Sequence, residues 1–280
     1  MINYIKRKLE KLKQKKTFLE YGYEIKTFKI DGIGAVDYAQ WLHPFEQPKV
    51  ITNSNVNFYK RLAKPGAMII DIGGHTGDTT VPMALAAGKN GLVLALEPNK
   101  YVYKILEKNA SLNRDHTNIQ TRCFAATKDE GEFVFNYSDA SFNNGGFLSE
   151  IHNKKHHHDF TLKVQGKNLE KYLNENFLSQ LPKLELIKVD AEGFDKEILK
   201  TIPNILKKYK PNLMIECYKR LDENERHELF DVVAGFGYNL YYLENFEETG
   251  NKILLEKKNM TDRKHFEMLA IHKDNLQRVN

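Results

Sequence analysis

The sequence predicts an α/β fold: a doubly wound, mostly parallel sheet of seven strands, preceded by a hairpin extension. Three observations point there. From Lys64-Pro65-Gly66 onward, short apolar runs alternate with helix-compatible stretches. Several runs are apolar at every position rather than at alternate ones, as strands covered on both faces require. Between the first run and its helix stands a glycine turn, the place where open sheets of this kind hold nucleotide-like ligands.

A chain of 280 residues suits one large domain with appendages. Hydrophobic residues at 41% and charged residues at 28% describe a globular protein with a buried core. No apolar run approaches the ~20 residues of a membrane span, and the basic N-terminus lacks the apolar stretch of a signal peptide. Cys123 and Cys217 are too few for a disulfide framework or a cysteine metal cluster, and a reducing cytoplasm fits. The net charge of +5 is modest and sits largely in the first sixteen residues, so no nucleic-acid partner is expected.

Residues 1–17 are expected as a basic amphipathic helix, 18–60 as a hairpin and cap segment, and 61–280 as the main domain. The first sixteen residues hold seven basic side chains and one acid, with Ile2, Ile5, Leu9 and Leu12 at helical spacing. Such a helix docks on an anionic membrane surface, or it packs on its own domain or on a second subunit of a homodimer. Four apolar side chains make a small anchor, which favours packing. Glu24–Ile30 and Ile33–Trp41 flank Asp31-Gly32, a hairpin turn signal. The stretch from Trp41 through His43 and Phe45 to Asn57 forms either a cap over the site or simple edge packing.

Within the main domain, strand Met68–Asp71 precedes helix Asp78–Ala87, and strand Leu92–Glu97 precedes helix Lys100–Asn113. Ile119–Ala125 is a third strand. Glu132–Tyr137 opens a side excursion through the loop Asn143–Gly146, with Leu162–Gln165 as an edge strand and Leu169–Leu178 as a helix. Leu184–Asp190 is a fourth strand, followed by helix Lys196–Lys207. Leu213–Glu216 is a fifth strand, followed by helix Glu223–Ala234. Asn239–Leu243 and His265–His272 close the sheet as antiparallel strands.

The turn reads Asp71-Ile-Gly73-Gly74-His75-Thr-Gly77-Asp78-Thr79. It lacks the G-x-G-x-x-G order of a dinucleotide site. Asp71 at the strand end would repel a pyrophosphate, which needs bare N–H groups. It suits the cationic amino-acid end of S-adenosylmethionine, and Asp71→Ala is expected to weaken that binding in an intact fold. Glu97, followed by Pro98, ends the second strand, where a carboxylate accepts both ribose hydroxyls. That role serves NAD and S-adenosylmethionine alike. His75 lies inside the turn, either near the methionine moiety or as a plain turn residue.

A second group stands at the end of the fourth strand, in Lys188-Val-Asp190-Ala-Glu192-Gly193. Strand alternation puts Lys188 and Asp190 on one face, and a lysine inside a strand needs an acid to pair with. Asp190 reaches the same rim as Asp71 and Glu97, and Glu192 lies just beyond. These residues form either a structural ion pair or the chemical centre. As a centre, Asp190 is the first choice for the base, then Glu192, then His75, with Lys188 orienting the acid. Glu216 is an additional rim acid with equal standing as a pairing residue. His152, His156, His157 and His158 read as a solvated loop rather than a metal site. No metal is demanded, though Asp190 and its partners are compatible with one.

These residues resemble the FkbM family of S-adenosylmethionine-dependent methyltransferases. The resemblance covers about residues 60–245 and rests on Met68–Asp78, the Leu-Glu-Pro at Glu97, Ile187-Lys-Val-Asp-Ala-Glu-Gly-Phe194 and Met214-Ile-Glu216. Ala125-Ala126 followed by Asp129-Glu-Gly131 resembles the family's third-strand segment, which adds Ala125 to the cofactor residues. Two positions depart from it: Gly74-His75 in the turn, and Asn168-Leu169-Glu170 where the family carries Leu-Asp. The resemblance implies a Rossmann-like methyltransferase with S-adenosylmethionine as cofactor. It implies O-methylation of a hydroxyl, on a sugar of a surface polysaccharide or on a natural product. The competing readings are a nicotinamide-dependent sugar oxidoreductase and a non-enzymatic cofactor-binding scaffold.

Overall fold

The apolar runs become the strands of one central sheet in the computed structural model, which describes residues 15–143, 146–148, 160–243 and 252–278. In chain order the parallel strands are β3 (Met68–Ile72), β4 (Leu92–Leu96), β5 (Ile119–Arg122), β10 (Leu184–Val189) and β11 (Asn212–Cys217). They are joined by antiparallel β12 (Tyr238–Leu243), β13 (Lys252–Leu254) and β14 (Phe266–His272). The order across the sheet is β13-β12-β14-β11-β10-β3-β4-β5. The seven expected strands are all present, and the short β13 adds an eighth at the edge. The chain runs outward from β3 to β5, then returns to β10 on the other side of β3. The switch point, where ligands bind in such sheets, therefore lies at the carboxyl ends of β3 and β10.

Strand alternation divides the core. Met68, Ile70 and Ile72 face one side, under α4 (Leu169–Asn176), α5 (Asp195–Lys200), α6 (Pro203–Tyr209) and α7 (Glu223–Gly235). Ile69, Val93, Leu186, Met214 and Leu269 face the other, under α1 (Asn53–Leu62) and α2 (Thr80–Ala87). All five residues of β3 and of β4 are buried, and so are all eight of α2. Helix α3 (Lys100–Ser111) lays Val102, Ile105, Leu106 and Asn109 inward at helical spacing.

Four local expectations change. The expected strand Ile119–Ala125 ends at Arg122, because Phe124 turns into the core and Ala125 starts β6 (Ala125–Thr127) in another sheet. That second sheet has the order β6-β9-β7-β8, with β7 (Gly131–Tyr137), β8 (Phe147–Leu148) and β9 (Phe160–Asn168). Leu162–Gln165 therefore lies in its interior strand, not at an edge. The expected helix Lys196–Lys207 is two helices, because Pro203 has no N–H to continue α5 and instead starts α6. The hairpin of β1 (Tyr23–Ile30) and β2 (Gly34–Trp41) has a three-residue loop, since Ile30 pairs with Gly34.

Of the expected N-terminal helix only residues 15–17 are described, with Lys15 and Lys16 helical. Most of it, part of the Asn143–Gly146 loop, and His152 and His156–His158 lie outside the described residues. Among the described residues no helix is long and apolar enough to cross a membrane.

Candidate active site

The glycine turn is shaped by a close approach between two strand ends. The Asp190 N–H donates to the Ile72 carbonyl at 3.0 Å, carrying the β10–β3 pairing past the strands. A Cβ on Gly73 would lie 2.0 Å from the Asp190 carbonyl oxygen, and Gly73 has φ +82°. Only glycine satisfies both demands. The N–H groups of Gly73 and Gly74 both donate to the Leu96 carbonyl, at 3.0 and 2.9 Å. From the other side, Asn109 Nδ2 donates to the Thr76 and Ala39 carbonyls at 2.7 and 3.1 Å, and Tyr38 Oη meets Thr76 Oγ1 at 2.8 Å. The hairpin thus clamps the turn.

Glu97 is 7% exposed beside the turn. It accepts the His75 N–H at 3.0 Å and the Asn99 N–H at 2.8 Å, one on each oxygen. Burial pushes its carboxyl up, against the pull of His75 and these N–H groups. His75 takes a left-handed conformation with φ 46°. Its Nε2 lies 3.0 Å from the Asn143 carbonyl, which can only accept, so Nε2 carries the hydrogen. Asn99 Nδ2 donates to the Phe142 carbonyl at 2.6 Å, so residues 142–143 are tied both to the turn and to the start of α3. Asp139 holds that segment by accepting the Ser141 and Asn143 N–H groups at 3.1 and 3.2 Å, and it lies 3.5 Å from His43. Trp41 stands edge-on to His75 at 6.1 Å, so the Trp41–Phe45 stretch reaches the site.

Asp71 is completely buried. Its Oδ2 accepts from Thr80 at 2.6 Å and Thr79 at 3.2 Å, and Lys188 Nζ lies 3.6 Å from its Oδ1. Lys188 also donates to Asp190 Oδ2 at 3.1 Å. Burial raises Asp71 in spite of Lys188. Burial would lower Lys188, yet Asp190 and Asp71 hold it well above its ordinary value, so it is the cation of the group. Asp78 pairs with Lys49 at 3.0 Å. Burial opposes its charge, but Lys49 and His75 overrule burial and hold Asp78 below the usual carboxylate range.

A second set of acids follows along the rim. Glu192 has φ 53°, and burial and Asp190 raise its carboxyl while the Tyr218 hydroxyl bonds to it. Asp195 accepts the Gly193 N–H at 3.2 Å and is raised by burial and Asp190. Glu216 and Glu267 are directly opposite on β11 and β14, and His265 Nε2 lies 2.7 Å from Glu216 Oε1. Burial, with Asp190 nearby, pushes both glutamates up.

Asp71, Gly73, Gly74, His75, Gly77, Thr79, Glu97, Lys188, Asp190 and Glu192 lie at or just beyond the carboxyl ends of β3, β4 and β10. Ala125 opens β6, just past the end of β5, within the apolar cluster of the second sheet. Asp78 and Pro98 flank the turn, with Asp78 committed to Lys49 and the Pro98 carbonyl facing the Cys123 thiol at 3.8 Å. Sequence reasoning did not single out Asn109, Tyr38, Asp139, Tyr218, His265 or Glu267. Asn109 had a readable signal, a polar residue on the apolar stripe of its helix. The others depend on long-range pairing.

The FkbM methyltransferase domain matches residues 71–248. A search of the curated proteins finds no match. Among solved structures, the FkbM methyltransferase of Methylobacillus flagellatus is 13% identical with a TM-score of 0.45, covering 78% of this chain and 50% of that one. An S-adenosylmethionine-dependent O-methyltransferase from Thermotoga maritima is 13% identical with a TM-score of 0.43, covering 90% and 78%. Aeropyrum pernix fibrillarin, solved with natively bound S-adenosylmethionine, is 12% identical with a TM-score of 0.43, covering 91% and 100%. The domain match spans more than half of the chain and takes in the glycine turn, Glu97 and the Lys188–Glu192 stretch, so this chain belongs to the FkbM methyltransferase family.

Proposed function

We propose that the chain moves a methyl group from S-adenosylmethionine to a hydroxyl, on a sugar of a surface glycan. The observation that carries this is the Asp190 carboxylate, fixed by Lys188 at 3.1 Å on a residue whose backbone carbonyl abuts Gly73 of the turn. The residues fit the cofactor. A Cβ on Gly74 would meet Leu106 and Thr80 at 3.2 and 3.3 Å, so glycine lets the turn pack closely on the helices behind it and holds Glu97 and His75 side by side. Each Glu97 oxygen keeps an acceptor position beyond its N–H bond, enough for two ribose hydroxyls. Asp71 has a buried oxygen without a hydrogen-bond partner, but its burial makes it an orienting residue for the turn, through Thr79 and Thr80, rather than a direct ligand.

When bound, S-adenosylmethionine supplies a methyl group on a sulfonium and leaves as the thioether as the new O–C bond forms. The acceptor's proton passes to Asp190, whose carboxylate Lys188 aims toward the rim. Glu192 stands ready as a second carboxylate, its proton affinity raised by burial and by Asp190. His75 positions the Asn143 segment, because its Nε2 is already donating. A sugar acceptor calls for several hydrogen-bonding groups, and Asp190, Glu192 and His265 provide them beside an FkbM core. The unpaired Cys123 and Cys217 accord with a reducing compartment such as the cytoplasm.

The test is Asp190→Asn, which nearly keeps shape but takes no proton at neutral pH. Transfer of labelled methyl to a panel of sugars is expected to fall about 100-fold or more, with S-adenosylhomocysteine affinity unchanged by calorimetry. Unchanged turnover removes Asp190 from the chemistry. No transfer to any sugar by the wild type overturns the acceptor class.

A further inference from the structure

One row of side chains crosses the sheet at its carboxyl rim. Val189 pairs with Ile72 on one side and with Ile215 on the other. One residue further on, Asp190 stands between Gly73 and Glu216, and Glu216 pairs with Glu267. Strand parity puts the acids on the face of Ile69, Leu186, Met214 and Leu269, since Asp71, Lys188 and Glu216 each follow by two residues and Glu267 precedes by two. Two carboxylates directly opposite on antiparallel strands repel each other.

Glu216 is 7% exposed, and its Oε2 has no hydrogen-bond partner. A buried carboxylate oxygen left this way asks for a ligand. The donor atoms of Glu216, Glu267 and His265 all lie within 4.8 Å of one another. Lys188, the cation of the neighbouring group, is already engaged by Asp190 and Asp71.

We propose that Glu216, Glu267 and His265 bind a divalent first-row metal ion, of the manganese or zinc kind, at the acceptor side of the active site. Two carboxylates with one imidazole suit such an ion better than magnesium or calcium, which favour oxygen alone. The hydrogen between His265 and Glu216 leaves as the ion enters. Three protein donors leave coordination positions open toward the rim, the arrangement of a metal site that takes a substrate. Two strand spacings, about 10 Å, separate Glu267 from Asp190. A sugar bridging that span would place one oxygen on the ion and offer a hydroxyl to Asp190. This use of the ion rests on the O-methyltransfer reading, whereas the ion site does not.

The probe is manganese(II), titrated into the full chain at neutral pH and followed by electron paramagnetic resonance. One saturable site is expected, displaced by zinc. Glu216→Gln, which keeps shape, and His265→Gln, at a half-exposed position, should each weaken it at least about tenfold. Glu132→Gln, on the second sheet, should leave it unchanged. S-adenosylhomocysteine affinity measured on the same variants should stay at the wild-type value and shows that they are folded. Absence of bound manganese up to about 1 mM, or binding that neither Glu216→Gln nor His265→Gln weakens, overturns the site. Manganese binding lost in Glu216→Gln upholds it even where no sugar is methylated, so the two readings fail separately.

Discussion

Gly73 leaves β3 at the point where another strand's carbonyl presses on it. Gly73→Ala meets both a left-handed φ and backbone at 2.0 Å, whereas Gly66→Ala meets a φ of +88° in open space. Gly66→Ala is expected to cost about 1–2 kcal/mol, and Gly73→Ala clearly more, since the Asp190 carbonyl must move. Urea unfolding of both proteins checks this, and equal losses would show that the strand ends are not rigidly apposed. Asp71, read from the sequence as a ligand to the cofactor, is buried beside Lys188 in the fold. Asp71→Ala removes a partner of buried Lys188 and should destabilise by about 3–5 kcal/mol. Asp71→Asn, which keeps the threonine bonds, is the milder probe. A wild-type unfolding midpoint for Asp71→Ala would contradict the pairing. Both acids of this group were legible as residues, but which one was buried was not: Asp190 lies two steps further along the sheet, opposite Gly73, and its side chain remains 37% exposed.

Helices α5 and α7 are joined by Glu228, which accepts from Lys196 at 2.5 Å and Lys200 at 2.6 Å. These bonds hold its carboxyl down to about 2. The sign follows from that depression. The contribution is complete above the unfolded value near 4.5 and disappears as pH falls from there toward 2. Glu228 is 46% exposed, so solvent screens the pair and about 1 kcal/mol or less is expected. Glu228→Gln should lower stability by that amount at pH 7 and match the wild type near pH 2, as judged by urea titrations across that range. A constant difference would assign the loss to packing. On α3, Asn109→Ala should cost about 2–4 kcal/mol, because it strands the Ala39 N–H and two carbonyls that this side chain holds. The same substitution should weaken S-adenosylhomocysteine binding, since the glycine turn loses its clamp to the hairpin. Wild-type affinity in the folded variant would show that the clamp is dispensable.

Across the whole molecule, residues 15–21 dock on their own domain. The Ala140 N–H donates to the Lys15 carbonyl at 2.8 Å, the Leu19 N–H to Ser141 Oγ at 3.0 Å, and Phe18 packs on Tyr101 at 5.1 Å. Truncation before Lys15 is expected to move the melting temperature by no more than about 3 °C and to leave sedimentation with anionic vesicles unchanged. Truncation through Tyr21 should free the Asp139–Asn143 segment and weaken cofactor binding. Vesicle binding lost with the shorter truncation would favour the membrane reading. The order of strands and helices, the glycine turn and the Lys188–Glu192 stretch were determined by the sequence alone. Each is a local matter: continuous apolar runs bury on both faces, and glycine followed by a helix start makes a tight turn. The tertiary structure decided the rest. Only the β11–β14 pairing puts Glu216 beside Glu267, only the β6–β9 pairing places Ala125 in a second sheet, and only packing between β3 and β10 buries Asp71 under Lys188. These outcomes depend on which distant segments share a sheet edge, and hydrophobic periodicity, which reports a residue's face but not its neighbour across the sheet, carries no record of that.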